Sequence, residues 1–167
     1  YVQRPVRMRC GRYANNTDEG RKEPMNFQSI QSGLVAALSH YNSVLILIKG
    51  SPDPDAIASS FCLSQLCSTL NIRSAIYANT PVSLPQNQAM ITKIGIDLII
   101  KDAIPFRDFE SYAVVDFQKA DCGPGSCGIP CVLHIDHHAR IEQETKPDYQ
   151  LVTDEANSVS TIMGGVY

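Results

Sequence analysis

The side chains best suited to chemistry in this sequence stand at the ends of apolar runs. Cys131-Val132-Leu133-His134-Ile135 runs into Asp136-His137-His138, and Val44-Leu45-Ile46-Leu47-Ile48 runs into Lys49-Gly50-Ser51-Pro52-Asp53-Pro54-Asp55. Tyr112-Ala113-Val114-Val115 runs into Asp116, and Asp154 closes the shorter run Leu151-Val152-Thr153. An apolar run that stops abruptly in carboxylate or imidazole reads as a buried strand delivering polar groups at its C-terminal end. In an open α/β sheet that edge is where ligands bind. Asp53 and Asp55 sit in a proline-punctuated turn, one residue between them, so two carboxylates can converge from a single strand. Hard oxygen donors mixed with imidazole nitrogen suit Mn²⁺ or Mg²⁺, with Mn²⁺ favoured because it takes nitrogen as well as oxygen. Without a cation, so many acids in one crevice would repel one another.

The elements that must position these groups are legible in the periodicity. Phe27, Ile30, Leu34, Val35, Leu38 and Tyr41 recur at helical spacing behind Asn26, a candidate N-cap. After the acidic turn, Asp55 to Asn71 carries Ile57, Phe61, Leu63, Leu66, Cys67 and Leu70. Small residues Ala56, Ala58, Ser59 and Ser60 in its first turn would let this helix start close to a sheet edge. Strands are expected at Ser74 to Tyr77 and Asp97 to Lys101, with a short helix from Pro85 to Ile94 between them. The Leu151 to Asp154 run reads as a last short extended piece, and Asn157 to Tyr167 as the beginning of a helix. Alternating strands and helices predict a three-layer, doubly wound α/β domain with a mostly parallel sheet of about five strands.

Composition sets bounds. At 167 residues and 44% apolar, one domain is the default, spanning residues 25 to 167 behind a polar, arginine-bearing arm or linker at residues 1 to 24. A net charge of −3 provides no global basic field, which argues against a long duplex held by counterion release. No apolar run approaches the roughly 20 residues that span a bilayer, and nothing near the start resembles a secretory signal, so a cytoplasmic protein is expected. The cysteines at positions 10, 62, 67, 122, 127 and 131 are expected to be reduced thiols. Their spacing does not match the paired knuckles of structural zinc sites.

Taken together, four motifs resemble those of the DHH phosphoesterases, a family that includes RecJ exonucleases, family II inorganic pyrophosphatases, exopolyphosphatases and the small oligoribonuclease and phosphoadenosine-phosphate phosphatases. They run in family order from Val44 to Thr161: the turn Lys49 to Ala56, the strand-end Asp116, the name-giving Asp136-His137-His138, and Asp154 ahead of Ser158-Val159-Ser160-Thr161. The resemblance implies that Asp53, Asp55, Asp116, His137 and Asp154 are metal ligands, with Asp116 bridging two ions. It implies that His138 contacts phosphate and that Asp136 orients an imidazole. The expected activity is metal-dependent hydrolysis of phosphodiester or phosphomonoester bonds in small nucleotides: short oligoribonucleotides, cyclic dinucleotides or 3′-phosphoadenosine phosphate. The expected partner is a small nucleotide or short single-stranded oligonucleotide, with no membrane involved and a homodimer as a candidate assembly.

The sequence departs from the family where histidine usually stands, four residues before the first aspartate of the turn. Here that residue is Lys49, and an ammonium has no lone pair for a metal. Three accounts stay open: a solvated lysine beside a weakened first site, an ammonium that replaces the ion beside Asp53 and aids His138 with phosphate charge, or the mark of a non-catalytic nucleotide-binding module. His40 and His134 read as surface or core histidines. The glycine-rich, substrate-gripping C-terminal domain of such proteins is missing before Tyr167, and the apolar helical pattern there predicts that these residues are one part of a larger protein.

Overall fold

The structure is a computed structural model that describes residues 25–122 and 128–167. The arm expected at residues 1 to 24, with Cys10, and the cysteine at position 127 lie outside the described residues. Chain order is α1 (Phe27–Leu38), β1 (Ser43–Ile48), α2 (Pro54–Thr69), β2 (Arg73–Ala78), α3 (Pro85–Ile94), β3 (Leu98–Ile100), a 3₁₀ turn (Phe106–Asp108), β4 (Ser111–Val115), β5 (Cys131–Asp136), β6 (Tyr149–Val152) and α4 (Val159–Val166).

Local chemistry explains most boundaries. Asn26 caps α1 by accepting from the Ser29 amide at 3.0 Å. Proline begins both α2 and α3, where its missing N–H costs nothing. Gly95, at φ +73°, stops α3 in the left-handed conformation that glycine adopts without a Cβ penalty. β1, β4 and β5 are buried along their whole length, which is why they read as continuous apolar runs rather than alternating ones.

The six strands form one sheet in the order β3-β2-β1-β4-β5-β6, every neighbouring pair parallel. The sixth strand is the short extended piece near Leu151; it pairs from Leu133↔Tyr149 to Asp136↔Val152. The chain winds outward from β1 to β3, then returns to the far side of β1 as β4. That reversal leaves a crevice at the carboxyl ends of β1 and β4, where the connections diverge to opposite sides.

The sheet is covered unequally. Ile46 and Ile48 of β1 pack with the apolar faces of α1, α2 and α4 in one core. Leu45 and Leu47 pack on the other face with Tyr77, Phe106, Phe109 and Tyr112, beneath the 3₁₀ turn and the loops around β4. Two close approaches hold the helical layer together: a Cβ on Gly33 would collide with the Tyr149 ring, and one on Gly165 with the Phe27 ring. Glycine at these positions lets α1 press against β6 and α4.

Candidate metal centre at the carboxyl edge

Asp116 is the first residue beyond β4 and stands at the switch point. Its backbone is left-handed, at φ +54°, and is held there by its amide donating to the Ile135 carbonyl at 2.9 Å. A non-glycine residue rarely adopts this conformation, and here it aims a carboxylate across the strand ends. The side chain is 5% exposed, and its Oδ1 is buried without a hydrogen-bond partner among the described residues. Burial, followed by the negative charges of Asp55 and Asp53, raises its pKa to about 7. A carboxyl that would be half protonated at neutral pH when alone is one that a cation would ionise.

The imidazoles come from the chain beyond β5. His137 Nε2 lies 3.4 Å from Asp116 Oδ1 and 3.6 Å from Asp55 Oδ2. His138 Nδ1 lies 2.7 Å from Asp136 Oδ1 and 3.9 Å from Asp116 Oδ1. Asp116, His137 and His138 can each offer a ligand atom within 4.8 Å of the others. Asp136 is fully buried at the end of β5, and its second oxygen, Oδ2, has no hydrogen-bond partner among the described residues. Its bond to His138 is the main reason that imidazole's pKa is raised, and with the proton held on Nδ1 the outer Nε2 points elsewhere.

Both aspartates of the first turn also have structural work. Asp53 caps α2, its Oδ1 accepting from the Ala56 amide at 2.9 Å. Asp55 reaches across to α4, where Oδ2 accepts from the Val159 amide at 2.9 Å and Oδ1 from the Ser160 amide at 2.7 Å. An ionised carboxylate oxygen has more than one lone pair, so Asp55 can hold α4 and still face His137. Nothing in the acidic turn itself announced this tie: the helix expected from Asn157 onward lies about a hundred residues away, and its start is capped by Ser158, which accepts from the Thr161 amide.

Asp154 stands exposed on the turn beyond β6 and is not part of the Asp116–His137–His138 group. Lys49 does not lie beside Asp53 as a stand-in for an ion. Its ammonium donates to the carbonyls of Lys119 at 2.7 Å and Asp121 at 2.6 Å, and sits 4.6 Å from the centre of the Phe117 ring. The reason is strand alternation: Lys49 follows Leu45 and Leu47 onto the face away from the helices, whereas Asp53 and Asp55 turn towards α2 and α4. Half-buried and engaged, it is not the solvated lysine either; it pins the loop that follows Asp116.

His134 is a core histidine, 1% exposed, with Nε2 donating to the Phe117 carbonyl at 2.8 Å and Nδ1 accepting from Gln150 at 3.0 Å. His40 is exposed just after α1. The four described cysteines, Cys62, Cys67, Cys122 and Cys131, are free thiols.

No family model matches the chain. A curated relative, an uncharacterised protein of Methanocaldococcus jannaschii, is 30% identical over 146 residues, covering 87% of this chain and 28% of its own length. Among solved structures, an exopolyphosphatase-related protein from Bacteroides fragilis shares the fold with a TM-score of 0.62 at 17% identity, over 81% of this chain and 42% of that one. The chain thus spans under half the length of either. It has the α/β fold of that exopolyphosphatase-related protein, with a six-stranded parallel sheet and a group of acid and imidazole at the carboxyl edge. Among the described residues no helix is long and apolar enough to cross a membrane.

Proposed function

We propose that this chain is the metal-holding part of a DHH-type phosphoesterase that hydrolyses phosphodiester or phosphomonoester bonds in small nucleotides or short single-stranded oligonucleotides. The observation that carries the reading is Asp116, whose buried Oδ1 has no hydrogen-bond partner among the described residues while two imidazoles and a second acid converge on it. An orphaned buried carboxylate is costly unless something else satisfies it. The donor set, oxygen with imidazole nitrogen, fits Mn²⁺ and, less well, Mg²⁺. Asp116 and His137 would hold the ion, with Asp55 beside them and Asp53 and Asp154 as further acids. A bound cation of this kind polarises a phosphoryl oxygen and lowers the pKa of a water.

The chain's own residues supply the remainder. Asp136 orients His138 and favours its imidazolium, in which Nδ1–H faces Asp136 and Nε2–H could donate to a phosphoryl oxygen. Asp55 ties this chemistry to α4, so the helix and the ligand set are held as one unit. Lys49 supports the loop after Asp116 instead of touching phosphate. The remainder of a longer protein would supply a substrate-gripping domain, in keeping with the fraction of its relatives that this chain spans.

A second reading, a nucleotide-binding module without turnover, draws on the same facts: Lys49 is no metal ligand and Asp55 is already engaged. Turnover assays with Mn²⁺ against short oligoribonucleotides, cyclic dinucleotides, 3′-phosphoadenosine phosphate and pyrophosphate separate the two. Hydrolysis that is abolished in Asp116→Asn supports the enzyme. Calorimetric Mn²⁺ and nucleotide binding without turnover on any substrate supports the module.

A further inference from the structure

We propose that the chain carries a nucleobase pocket of its own, on the face of the sheet opposite the helices and at the same carboxyl edge as the acid and imidazole group. This deepens the phosphoesterase reading by giving its substrate class, and it rests on that reading only for the phosphate; recognition of the base stands by itself. A cavity of about 330 Å³ lies there, walled by Leu47, Ile104, Phe106 and Phe117, with Lys49 and Asn79 at its polar side. Its position follows from the fold. Lys49 comes directly after β1, Asn79 directly after β2, and Phe117 directly after Asp116.

The composition of the wall selects the ligand. The volume is at the small end of the range for sites that bury organic ligands, roughly 300 to 1,000 Å³, and such sites are mostly apolar with a few placed polar groups. A phosphate would need an available cation, and Lys49 is spent: two of its protons go to the carbonyls of Lys119 and Asp121, and its charge lies against Phe117. Asp121 also lines the cavity, beside Cys122, but its carboxylate is engaged, accepting from the Thr145 amide at 2.7 Å, and an anion there would repel a phosphate. What is left is an apolar slot with aromatic walls and the amide of Asn79, whose Oδ1 accepts from the Thr80 hydroxyl at 3.1 Å. A flat, uncharged heterocycle with hydrogen-bonding edges meets those terms; an anion or a flexible alkyl chain does not. The phosphate of the same nucleotide would then reach over the strand ends past Gly50 towards Asp116, since Phe117, which lines the pocket, follows Asp116 directly in the chain.

The test uses the whole 167-residue protein and adenosine, which has no phosphate, followed by calorimetry and NMR saturation transfer without added metal. Adenosine is expected to bind. Phe117→Ala and Ile104→Asp should each weaken it by about tenfold or more, the scale of losing one base–aromatic contact. Asn79→Ala, at an exposed position where folding is not at stake, should weaken it several-fold and leave Mn²⁺ binding unchanged. Absence of adenosine binding at millimolar concentration, or an affinity in both Ile104→Asp and Asn79→Ala unchanged from the unaltered protein, overturns the proposal. Loss of Mn²⁺ binding with adenosine affinity intact would instead count against the phosphoesterase reading and leave the pocket standing.

Discussion

His134 and His138 come from the same stretch of chain, four residues apart, and their surroundings are opposite. His134 is sealed in the core with a partner on each ring nitrogen, and burial lowers its pKa, so it stays neutral. His138 is 44% exposed on its side chain, bonded on one nitrogen to a fully buried aspartate, and its pKa is raised. Both ring nitrogens of His134 have partners; around His138 and its neighbour His137, Asp116 Oδ1 and Asp136 Oδ2 are buried without a hydrogen-bond partner among the described residues. Equal residue types therefore mean different things: completed hydrogen bonding marks a structural group, and incomplete bonding in a cluster of ligating atoms marks a place for something that is not protein.

The contrast is tested most severely at Asp116. Asp116→Asn should reduce Mn²⁺ affinity by more than the roughly 10–100-fold typical of groups around a ligand, measured by calorimetry, with far-UV circular dichroism unchanged. Affinity within a few-fold of the unaltered protein would remove Asp116 from the metal centre.

His134→Ala should act on stability instead. It opens a core cavity and strands the Phe117 carbonyl and the Gln150 amide, at a cost of about 2–4 kcal/mol by denaturant unfolding. Any folded fraction should keep its Mn²⁺ affinity. If the variant unfolds normally but loses metal, His134 belongs to the site and the comparison fails.

Proton linkage sharpens the same point. The folded pKa of Asp116, about 7, lies above its ordinary value of 3.8, so the folded state holds a proton that the unfolded chain has released. Between about pH 4 and 7 the metal-free protein therefore loses stability as pH rises. His138, raised as well, adds to the loss as pH passes through its folded pKa; His134, lowered, works the other way by destabilising as pH falls below 6.5. Subtraction isolates the acid: metal-free Asp116→Asn should gain on the unaltered protein by about 2–3 kcal/mol between pH 5 and 8. A constant difference over that range would mean Asp116 is an ordinary carboxylate, and Mn²⁺ should flatten the slope in the unaltered protein.

The smallest expected effect is at Lys49. Because its side chain leaves β1 on the face away from Asp53, Lys49→His should leave the number of bound Mn²⁺ ions unchanged and cost about 1–3 kcal/mol for two lost hydrogen bonds. A doubled stoichiometry would show that the loop can yield and let an imidazole reach the acids.

How much of this was readable in one dimension depends on the range of the physics involved. Strands buried on both faces, proline and asparagine at helix starts and a glycine stop are local effects, so the alternation of elements and the parallel α/β class followed from the residues themselves. Polar groups collected at the carboxyl edge were legible for the same reason, since each closes an apolar run. Lys49 stayed open among three accounts, because alternation along Leu45, Leu47 and Lys49 is decisive only once the sheet and its two faces are known. Tertiary structure decided the remainder. The run at Leu151 was legible as a short extended piece, but its start at Tyr149 and its pairing with β5 as a sixth strand were not, because four residues carry no sign of their partner. The attachment of Asp55 to the amides of α4, the Lys49 ammonium on the carbonyls of Lys119 and Asp121, and the separation of a saturated His134 from an unsatisfied His138 all depend on atoms distant in sequence. Hydrogen-bond completion is a property of the folded surroundings, and no residue type or spacing carries it.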